Sequence, residues 1–138
     1  MNDVETVMDQ LNVLHVEDDS DDAFFFGRAL RKVWPGCEVY RVANGEQALK
    51  YLNSCDGNGF PDLMILDLKL PGMSGFEVLG WMRSQDRLKG LPVVVLSGSS
   101  LEMDRKQASE LGASAYLVKS SVYTDTAEAA VRIVGAPT

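Results

Sequence analysis

Side chains suited to phosphoryl and metal chemistry directly follow several apolar runs of the sequence. Residues 14–22 read LHVEDDSDD, and Glu17 and Asp18 come straight after the first run. Asp67, Ser97 and Lys119 follow three later runs. Carboxylates bind hard cations and accept phosphoryl groups, while hydroxyl and ammonium groups bind phosphoryl oxygens. These residue types indicate cation-assisted phosphoryl chemistry, provided that the fold brings them together.

The acidic stretch taken alone has three interpretations: a metal site, the start of a helix, or a solvated loop. Ser20 is expected to cap the helix that follows, because its hydroxyl can accept from a backbone N–H of the first turn. Asp21 and Asp22 then fall in that first turn, where the helix dipole favours negative charge. Asp19 is assigned only a loop role.

Five short apolar runs without strict polar alternation indicate strands that are covered on both faces. They span residues 11–16, 38–43, 62–66, 92–96 and 115–118. Start and stop signals between the runs predict helices over about 20–34, 44–53, 74–84, 101–111 and 121–134. The alternation predicts an α/β fold, a (βα)5 doubly wound parallel five-stranded sheet of strand order 2-1-3-4-5.

This topology would gather the acidic residues at one edge of the sheet, where parallel strands all end. Glu17, Asp18 and Asp67 would share the crevice between strands one and three. Three neighbouring carboxylates repel one another, and a hard cation such as Mg²⁺ holds them ionised together. Ser97 and Lys119 would add a hydroxyl and an ammonium group to the same crevice.

The chain resembles the receiver domain of two-component response regulators over about residues 11–134. The most specific motif is LMILDLKLPGMSG at residues 63–75, with the family's aspartate at Asp67 and a proline four residues later. HVEDD supplies the acidic pair, VVVLSGSS the hydroxyl residue, and AYLVK the aromatic residue and the lysine. The resemblance implies the flavodoxin-like receiver fold. A weaker similarity points to the regulators that work with bacteriophytochrome-type kinases.

The resemblance also implies roles for the residues of the acidic site. Asp67 would accept a phosphoryl group from the phosphohistidine of a partner kinase. Asp18 and Asp67 would bind Mg²⁺ directly, and Glu17 would act largely through water. The backbone carbonyl of Lys69 would complete the protein ligands, and Lys119 would pair with the phosphoryl group.

Further residues are implied in switching. Ser97 would reorient toward the phosphoryl group, and Gly98 would leave room for the phosphodonor. Tyr116 would change rotamer as the signal reaches the face formed by helix 4, strand 5 and helix 5. Most members carry a proline after the lysine, commonly with a cis bond, whereas here Ser120 follows Lys119. The resemblance therefore does not predict whether the Lys119–Ser120 bond is cis or trans.

Composition limits the partners and the location. The net charge of -7 and the pI near 4.6 argue against binding to a nucleic acid backbone. No apolar run reaches the ~18 residues of a membrane span, so a cytoplasmic protein without a membrane partner is expected. The isolated Cys37 and Cys55 are expected to be free thiols. The predicted organisation is a flexible segment 1–10, a standalone receiver domain 11–134 and a tail 135–138.

The phosphodonor is expected to be a sensor histidine kinase or a histidine phosphotransfer protein. The one histidine, His15, is predicted to be buried on the first strand. Phe24 and Phe25 are predicted to contribute to docking of the phosphodonor, and Phe25 falls on the side of helix 1 opposite its apolar stripe. That stripe comprises Ala23, Phe26, Gly27, Leu30 and Trp34. The downstream target is unknown, and a homodimer through the helix 4, strand 5 and helix 5 face is a further expectation.

Three other functions compete with a phosphoacceptor switch. A receiver-fold adaptor that works without phosphorylation would be expected to lack an acidic residue or the lysine, and none is missing. A flavodoxin-like cofactor protein would need a phosphate loop where five carboxylates stand. An aspartyl phosphatase would need a second acid where Lys69 lies. The sequence therefore favours a signalling switch rather than a turnover enzyme, with the adaptor as the alternative.

Overall fold

The computed structural model describes residues 10–55 and 59–135. Five parallel strands form one sheet in the order β2-β1-β3-β4-β5, which confirms the predicted topology. β1 pairs with both β2 and β3, so the chain changes direction across the sheet at β1. The predicted bounds differ by at most one residue from the observed strands, which are β1 Leu11–Val16, β2 Cys37–Val42, β3 Leu63–Leu66, β4 Val93–Ser97 and β5 Ala115–Val118.

Helices follow each strand, as predicted. They are α1 Ser20–Val33, α2 Gly45–Ser54, α3 Gly75–Arg83, α4 Glu102–Glu110 and α5 Tyr123–Val131. The last helix is shorter than predicted, because Ser120 Oγ accepts from the Val122 N–H in a turn that precedes it, and Arg132–Val134 is a 3₁₀ turn. Within the described ranges, no helix is both long and apolar enough to cross a membrane.

The two faces of the sheet carry separate apolar cores, and β3 contributes to both. Leu63 and Ile65 pack against α1 and α5, while Met64 and Leu66 pack against α2, α3 and α4. Because successive side chains of a strand point to opposite faces, covering both faces requires an unbroken apolar run. All four β3 side chains are fully buried, which accounts for the missing polar alternation.

The N-terminus of α1 corrects the sequence prediction. Asp19, and not Ser20, is the capping residue, since its Oδ1 accepts from the backbone N–H groups of Asp21 at 2.9 Å and Asp22 at 3.0 Å. Ser20 is the first residue of the helix itself. A carboxylate at this position satisfies two backbone donors and also lies at the positive end of the helix dipole. The loop role assigned to Asp19 was therefore wrong.

The apolar stripe of α1 faces the sheet as predicted. Phe26, Leu30 and Trp34 are buried, and the ring of Phe26 lies 5.1 Å from that of His15. His15 is itself only 1% exposed on β1, which confirms its predicted burial. Burial lowers the pKa of His15 to about 3, helped by the positive charges of Lys119 and Arg41, so the imidazole is neutral at physiological pH.

The start of α3 approaches the end of β3 very closely. Ser74 and Glu77 form a capping box, in which Glu77 N donates to Ser74 Oγ at 3.2 Å and Ser74 N donates to Glu77 Oε1 at 2.8 Å. Gly75 lies against the backbone of Asp67 and Leu68, and its N–H donates to the Leu68 carbonyl at 2.9 Å. A Cβ at position 75 would collide with that backbone. The glycine therefore fixes the loop that follows Asp67.

The two predicted flexible ends fall mainly on residues 1–9 and 136–138, which lie outside the described residues. α4 ends as predicted before Gly112, whose φ of 93° is in the left-handed region that favours glycine.

Candidate functional site

The acidic site lies at the carboxyl ends of β1 and β3. Glu17 N donates to the Val42 carbonyl at 3.0 Å, and Asp67 N donates to the Val16 carbonyl at 3.1 Å, so both residues continue the pairing of the sheet. Carboxylate oxygens of Glu17, Asp18 and Asp67 lie within 4.8 Å of one another. The predicted gathering of these three carboxylates at the switch point of the sheet is thus observed.

Burial differs across the three carboxylates. Glu17 and Asp67 are 1% and 5% exposed, whereas Asp18 is exposed to solvent. Two buried carboxylates close together are stable as anions only beside positive charge, because water screens them little. A hard divalent cation fits this set of oxygen donors, and the exposed Asp18 gives it a path from solvent.

Lys119 brings a positive charge into direct contact with the buried carboxylates. Its Nζ lies 2.8 Å from Glu17 Oε1, 3.1 Å from Asp67 Oδ2 and 3.2 Å from Asp22 Oδ2. The backbone N–H of Lys119 donates to the Ser97 carbonyl at 2.7 Å, which continues the β4–β5 pairing and aims the side chain at the acids. The lysine therefore joins the ends of β1, β3 and β5.

The pKa values follow from this arrangement. Burial raises the pKa of Glu17, and the contact with Lys119 opposes that rise only in part. Burial acts to lower the pKa of Lys119, but the hydrogen bond to Glu17 and the charge of Asp67 outweigh it and leave the pKa raised. Lys119 is therefore a permanent cation, whereas Glu17 has a carboxylate that burial destabilises.

Arg41 fixes the backbone of the acidic pair. Its Nε donates to the Glu17 carbonyl at 2.9 Å, and its second guanidinium nitrogen donates to the Asp18 carbonyl at 3.1 Å. The sequence analysis did not identify this residue. Its position on β2 next to the end of β1 is the signal that could have found it, since neighbouring parallel strands end together.

Lys69 lies two residues beyond Asp67, and its backbone N–H donates to Asp67 Oδ1 at 3.1 Å. This contact orients the carboxylate, and it folds the chain so that residue 69 lies beside the acidic site. The side chain of Lys69 is exposed. The predicted metal contact of its carbonyl stays a prediction.

Ser97 and Gly98 close the site on the β4 side. Ser97 is fully buried and ends β4, and its Oγ accepts from the Ser99 N–H at 3.3 Å. Gly98 is exposed, and a Cβ there would meet nothing within 4 Å. The position next to the site is thus open to solvent.

Tyr116 connects this side of the site to α4. Its hydroxyl donates to the Ser99 carbonyl at 2.8 Å, and the guanidinium of Arg105 lies 4.7 Å from the ring centre. Ser99 Oγ donates to Asp104 Oδ2 at 2.6 Å on the first turn of α4. A change at Ser97 can therefore reach α4 through Ser99.

The two aromatic residues on the outer side of α1 are exposed, as expected. Phe24 is 62% and Phe25 is 43% exposed, with ring centres 5.3 Å apart. The ring of Phe25 also lies 5.7 Å from the ring of Tyr123. Phe25 and Tyr123 line a groove of about 390 Å³ between α1 and α5. The docking role of the two phenylalanines stays a prediction.

Asp22 and Tyr123 are site residues that the sequence analysis missed. Asp22 was assigned to the first turn of α1, but its carboxylate also pairs with Lys119 and accepts from the Tyr123 hydroxyl at 3.1 Å. Asp22 lies in the first turn of α1, only four residues after the acidic pair ends at Asp18, and this closeness in the sequence is the signal that could have found it. The described residues contain no cis peptide bond, so the Lys119–Ser120 bond is trans.

Comparisons with known proteins agree with this geometry. The response regulator receiver domain family matches residues 13–131. The probable methanogenesis regulatory protein FilR2 of Methanothrix harundinacea (strain 6Ac) is 33% identical over 125 residues, which cover 89% of this chain and 81% of the relative. The matched residues cover between 24% and 65% of the length of the other curated relatives, most of which are longer proteins.

Solved structures give the same result. The bacteriophytochrome response regulator RtBRR is 38% identical with a TM-score of 0.78, covering 94% of this chain and 80% of that one. The phosphorylated cyanobacterial phytochrome response regulator RcpA is 34% identical with a TM-score of 0.78, covering 90% and 91%. The residues matched by the family include Glu17, Asp18, Asp67 and Lys119. This chain therefore belongs to the response regulator receiver domain family.

Proposed function

We propose that this chain is a phosphorylation-dependent signalling switch that accepts a phosphoryl group on Asp67 in a Mg²⁺-dependent reaction. The observation that carries the proposal is the position of the Asp67 carboxylate. It is buried between two other carboxylates and the ammonium group of Lys119, 3.1 Å away. This arrangement combines a nucleophile, cation ligands and a fixed positive charge.

The residues of the site would bind the cation, orient Asp67 and bind the phosphoryl oxygens. A Mg²⁺ ion held by Glu17, Asp18, Asp67 and the Lys69 carbonyl would neutralise the negative charge of an approaching phosphoryl group. Lys69 N–H holds one oxygen of Asp67, which orients the carboxylate for attack. Lys119 binds phosphoryl oxygens and stays protonated throughout, since its pKa is raised.

The transfer replaces one bond to phosphorus by another. An oxygen of Asp67 forms a bond to phosphorus while the phosphorus–nitrogen bond of the phosphohistidine breaks. The electron pair of that bond stays on the imidazole nitrogen, which takes up a proton. Positioning and charge neutralisation are the main contributions that a protein can make to such a transfer. The open space beside Gly98 admits the phosphodonor.

The signal would leave through the face formed by α4, β5 and α5. Ser97 would turn its hydroxyl toward the phosphoryl group and give up its contact with the Ser99 N–H. That change would loosen the bond from the Tyr116 hydroxyl to the Ser99 carbonyl, so that Tyr116 changes rotamer. A downstream protein, a second copy of the chain, or a further phosphoryl acceptor would read the altered face.

The phosphodonor in this proposal is a histidine kinase or a histidine phosphotransfer protein, which places the reaction in the cytoplasm. Phe24 and Phe25 would contact helices of this donor, because both rings are exposed on α1 and Phe25 lines the groove between α1 and α5. Phe25→Ala is expected to slow transfer from the cognate donor. Met103→Ala is the matched control, since Met103 is an exposed apolar residue on α4. Equal rates for both variants would refute the docking role.

Incubation with a small acyl phosphate and Mg²⁺, followed by intact mass measurement, tests the proposed function. The expected result is a gain of one phosphoryl group that is lost in Asp67→Asn and blocked by a chelator. No gain under these conditions would favour an adaptor that works without phosphorylation.

A further inference from the structure

Asp22 contacts the lysine of the site without belonging to the cation ligands. Its Oδ2 lies 3.2 Å from Lys119 Nζ, and its Oδ1 accepts from the Tyr123 hydroxyl at 3.1 Å. Among the residues that the structure describes, the carboxylates that approach one another closely enough to share a cation are those of Glu17, Asp18 and Asp67. Asp22 therefore has the lysine and the tyrosine as its partners.

A divalent cation and Lys119 compete for the same carboxylates. Lys119 contacts Glu17 at 2.8 Å and Asp67 at 3.1 Å, and both are among the cation ligands. When a cation binds those carboxylates, its charge repels the ammonium group and weakens both contacts. Asp22 is then the carboxylate that can still hold Lys119 beside the site.

We propose that Asp22 is a positioning residue that holds Lys119 next to the acidic site while a divalent cation occupies that site. The inference rests on the proposed function, because the cation and the lysine are those of the proposed phosphorylation site. Because Lys119 and the cation compete for the same carboxylates, a lysine held by Asp22 competes less. Asp22 therefore promotes cation binding through the lysine. A negative charge that merely attracted the cation would act in the same direction without needing Lys119.

A cavity gives the lysine room for this movement. It has a volume of about 220 Å³ and lies beside Lys119 and Asp22, between β1, α1 and α5. Its walls include His15, Phe26 and Tyr123. The ammonium group can therefore shift from Glu17 toward Asp22 without displacing packed side chains.

Tyr123 fixes the position of Asp22. The tyrosine begins α5 and the aspartate lies in the first turn of α1, so their hydrogen bond links the two helices. The contact between the rings of Tyr123 and Phe25 at 5.7 Å restricts the tyrosine further. Tyr123→Phe removes the hydroxyl while keeping the ring, and it should weaken the same function less than loss of Asp22 does.

Titration with Mn²⁺, followed by the electron paramagnetic resonance signal of the free ion, tests the inference. Asp22→Asn is expected to weaken Mn²⁺ binding by about three- to fivefold, the effect of a partly exposed ion pair. Asp21→Asn is the matched control, because it removes the same charge from the same turn at an exposed position. Its expected effect is less than about twofold.

A double-mutant cycle with Lys119→Met separates positioning from simple attraction. If Asp22 acts through the lysine, Asp22→Asn has little further effect in the Lys119→Met background. Equal weakening in both backgrounds, or equal effects of Asp22→Asn and Asp21→Asn, would overturn the inference. Failure of the unmodified protein to bind Mn²⁺ would instead refute the Mg²⁺-dependent function on which the inference rests.

Discussion

Replacing Lys119 by methionine should destabilise the fold, and added Mg²⁺ should restore much of the lost stability. The change keeps an apolar stem of similar length and removes the ammonium group that contacts Glu17 and Asp67. Those two carboxylates have side chains that are 1% and 6% exposed, so they would face each other nearly without solvent screening. An uncompensated buried charge is among the costliest defects in a protein interior.

The magnitude follows from the burial of the partners. Breaking a fully buried ion pair costs about 3–5 kcal/mol. The Lys119 side chain is 24% exposed, so part of the charge is screened in the native protein. We therefore expect a loss of about 2–3 kcal/mol near neutral pH, below the fully buried range. At about 4 °C per kcal/mol for a domain of this size, Tm would fall by about 10 °C.

The stability lost in Lys119→Met should depend on pH, because Glu17 titrates differently without the lysine. Burial raises the folded-state pKa of this carboxyl above its unfolded value. Its protonated form therefore favours folding, and that stability is present below the unfolded pKa and lost as the pH rises through the folded pKa. Without Lys119 the folded pKa of Glu17 rises further, because a contact that lowers it is gone. The stability difference from wild type should thus be smaller at about pH 5 than at about pH 8.

Urea unfolding followed by circular dichroism, with chelator and with excess Mg²⁺, measures these effects. Mg²⁺ should stabilise Lys119→Met more than wild type, because a bound cation replaces the lost charge. Lys89→Met is the control, since Lys89 forms an ion pair with Asp86 at 3.0 Å that is largely exposed. Its expected change is below about 1 kcal/mol. Equal losses for the two variants, or a Lys119→Met deficit that is independent of pH and Mg²⁺, would refute the reasoning.

Three further predictions concern local structure. Gly75→Ala should lower the free energy of unfolding in urea by about 2–3 kcal/mol, because the new Cβ collides with the backbone at the end of β3. Gly80→Ala should be neutral or stabilising, because a Cβ there meets open space. Equal effects of the two substitutions would contradict the assigned contact. Asp19→Ala should cost about 1 kcal/mol through the lost cap and Ser20→Ala much less, and the reverse order would restore Ser20 as the cap. Cys37 should resist alkylation in the native protein near pH 8, because burial raises its pKa to about 11; fast labelling followed by mass spectrometry would contradict this.

Much of the fold follows from the sequence because the strands are buried on both faces. An apolar run such as residues 63–66 has few structural alternatives in a chain of alternating strands and helices. The topology of such a chain then brings Glu17, Asp18, Asp67 and Lys119 to one edge of the sheet. The site could therefore be predicted from what stands at the strand ends.

Contacts that depend on side-chain direction could not be predicted in this way. Asp19 and Ser20 are both good capping residues, and the choice depends on where the backbone turns into α1. Asp22 meets Lys119 across 97 positions of the chain, and only the packing of α1 against α5 brings them together. Arg41 likewise reaches back from β2 to the carbonyls of the acidic pair, which no motif encodes.

Chemical mapping of the phosphorylated residue tests the central proposal most directly. After treatment with a small acyl phosphate and Mg²⁺, borohydride reduces an aspartyl phosphate to homoserine, and peptide mass spectrometry locates the reduced residue. We predict homoserine at position 67 and at neither Asp18 nor Asp22. Reduction at another aspartate, or an unreduced Asp67 in protein that has gained a phosphoryl group, would contradict the assignment of Asp67 as the phosphoacceptor.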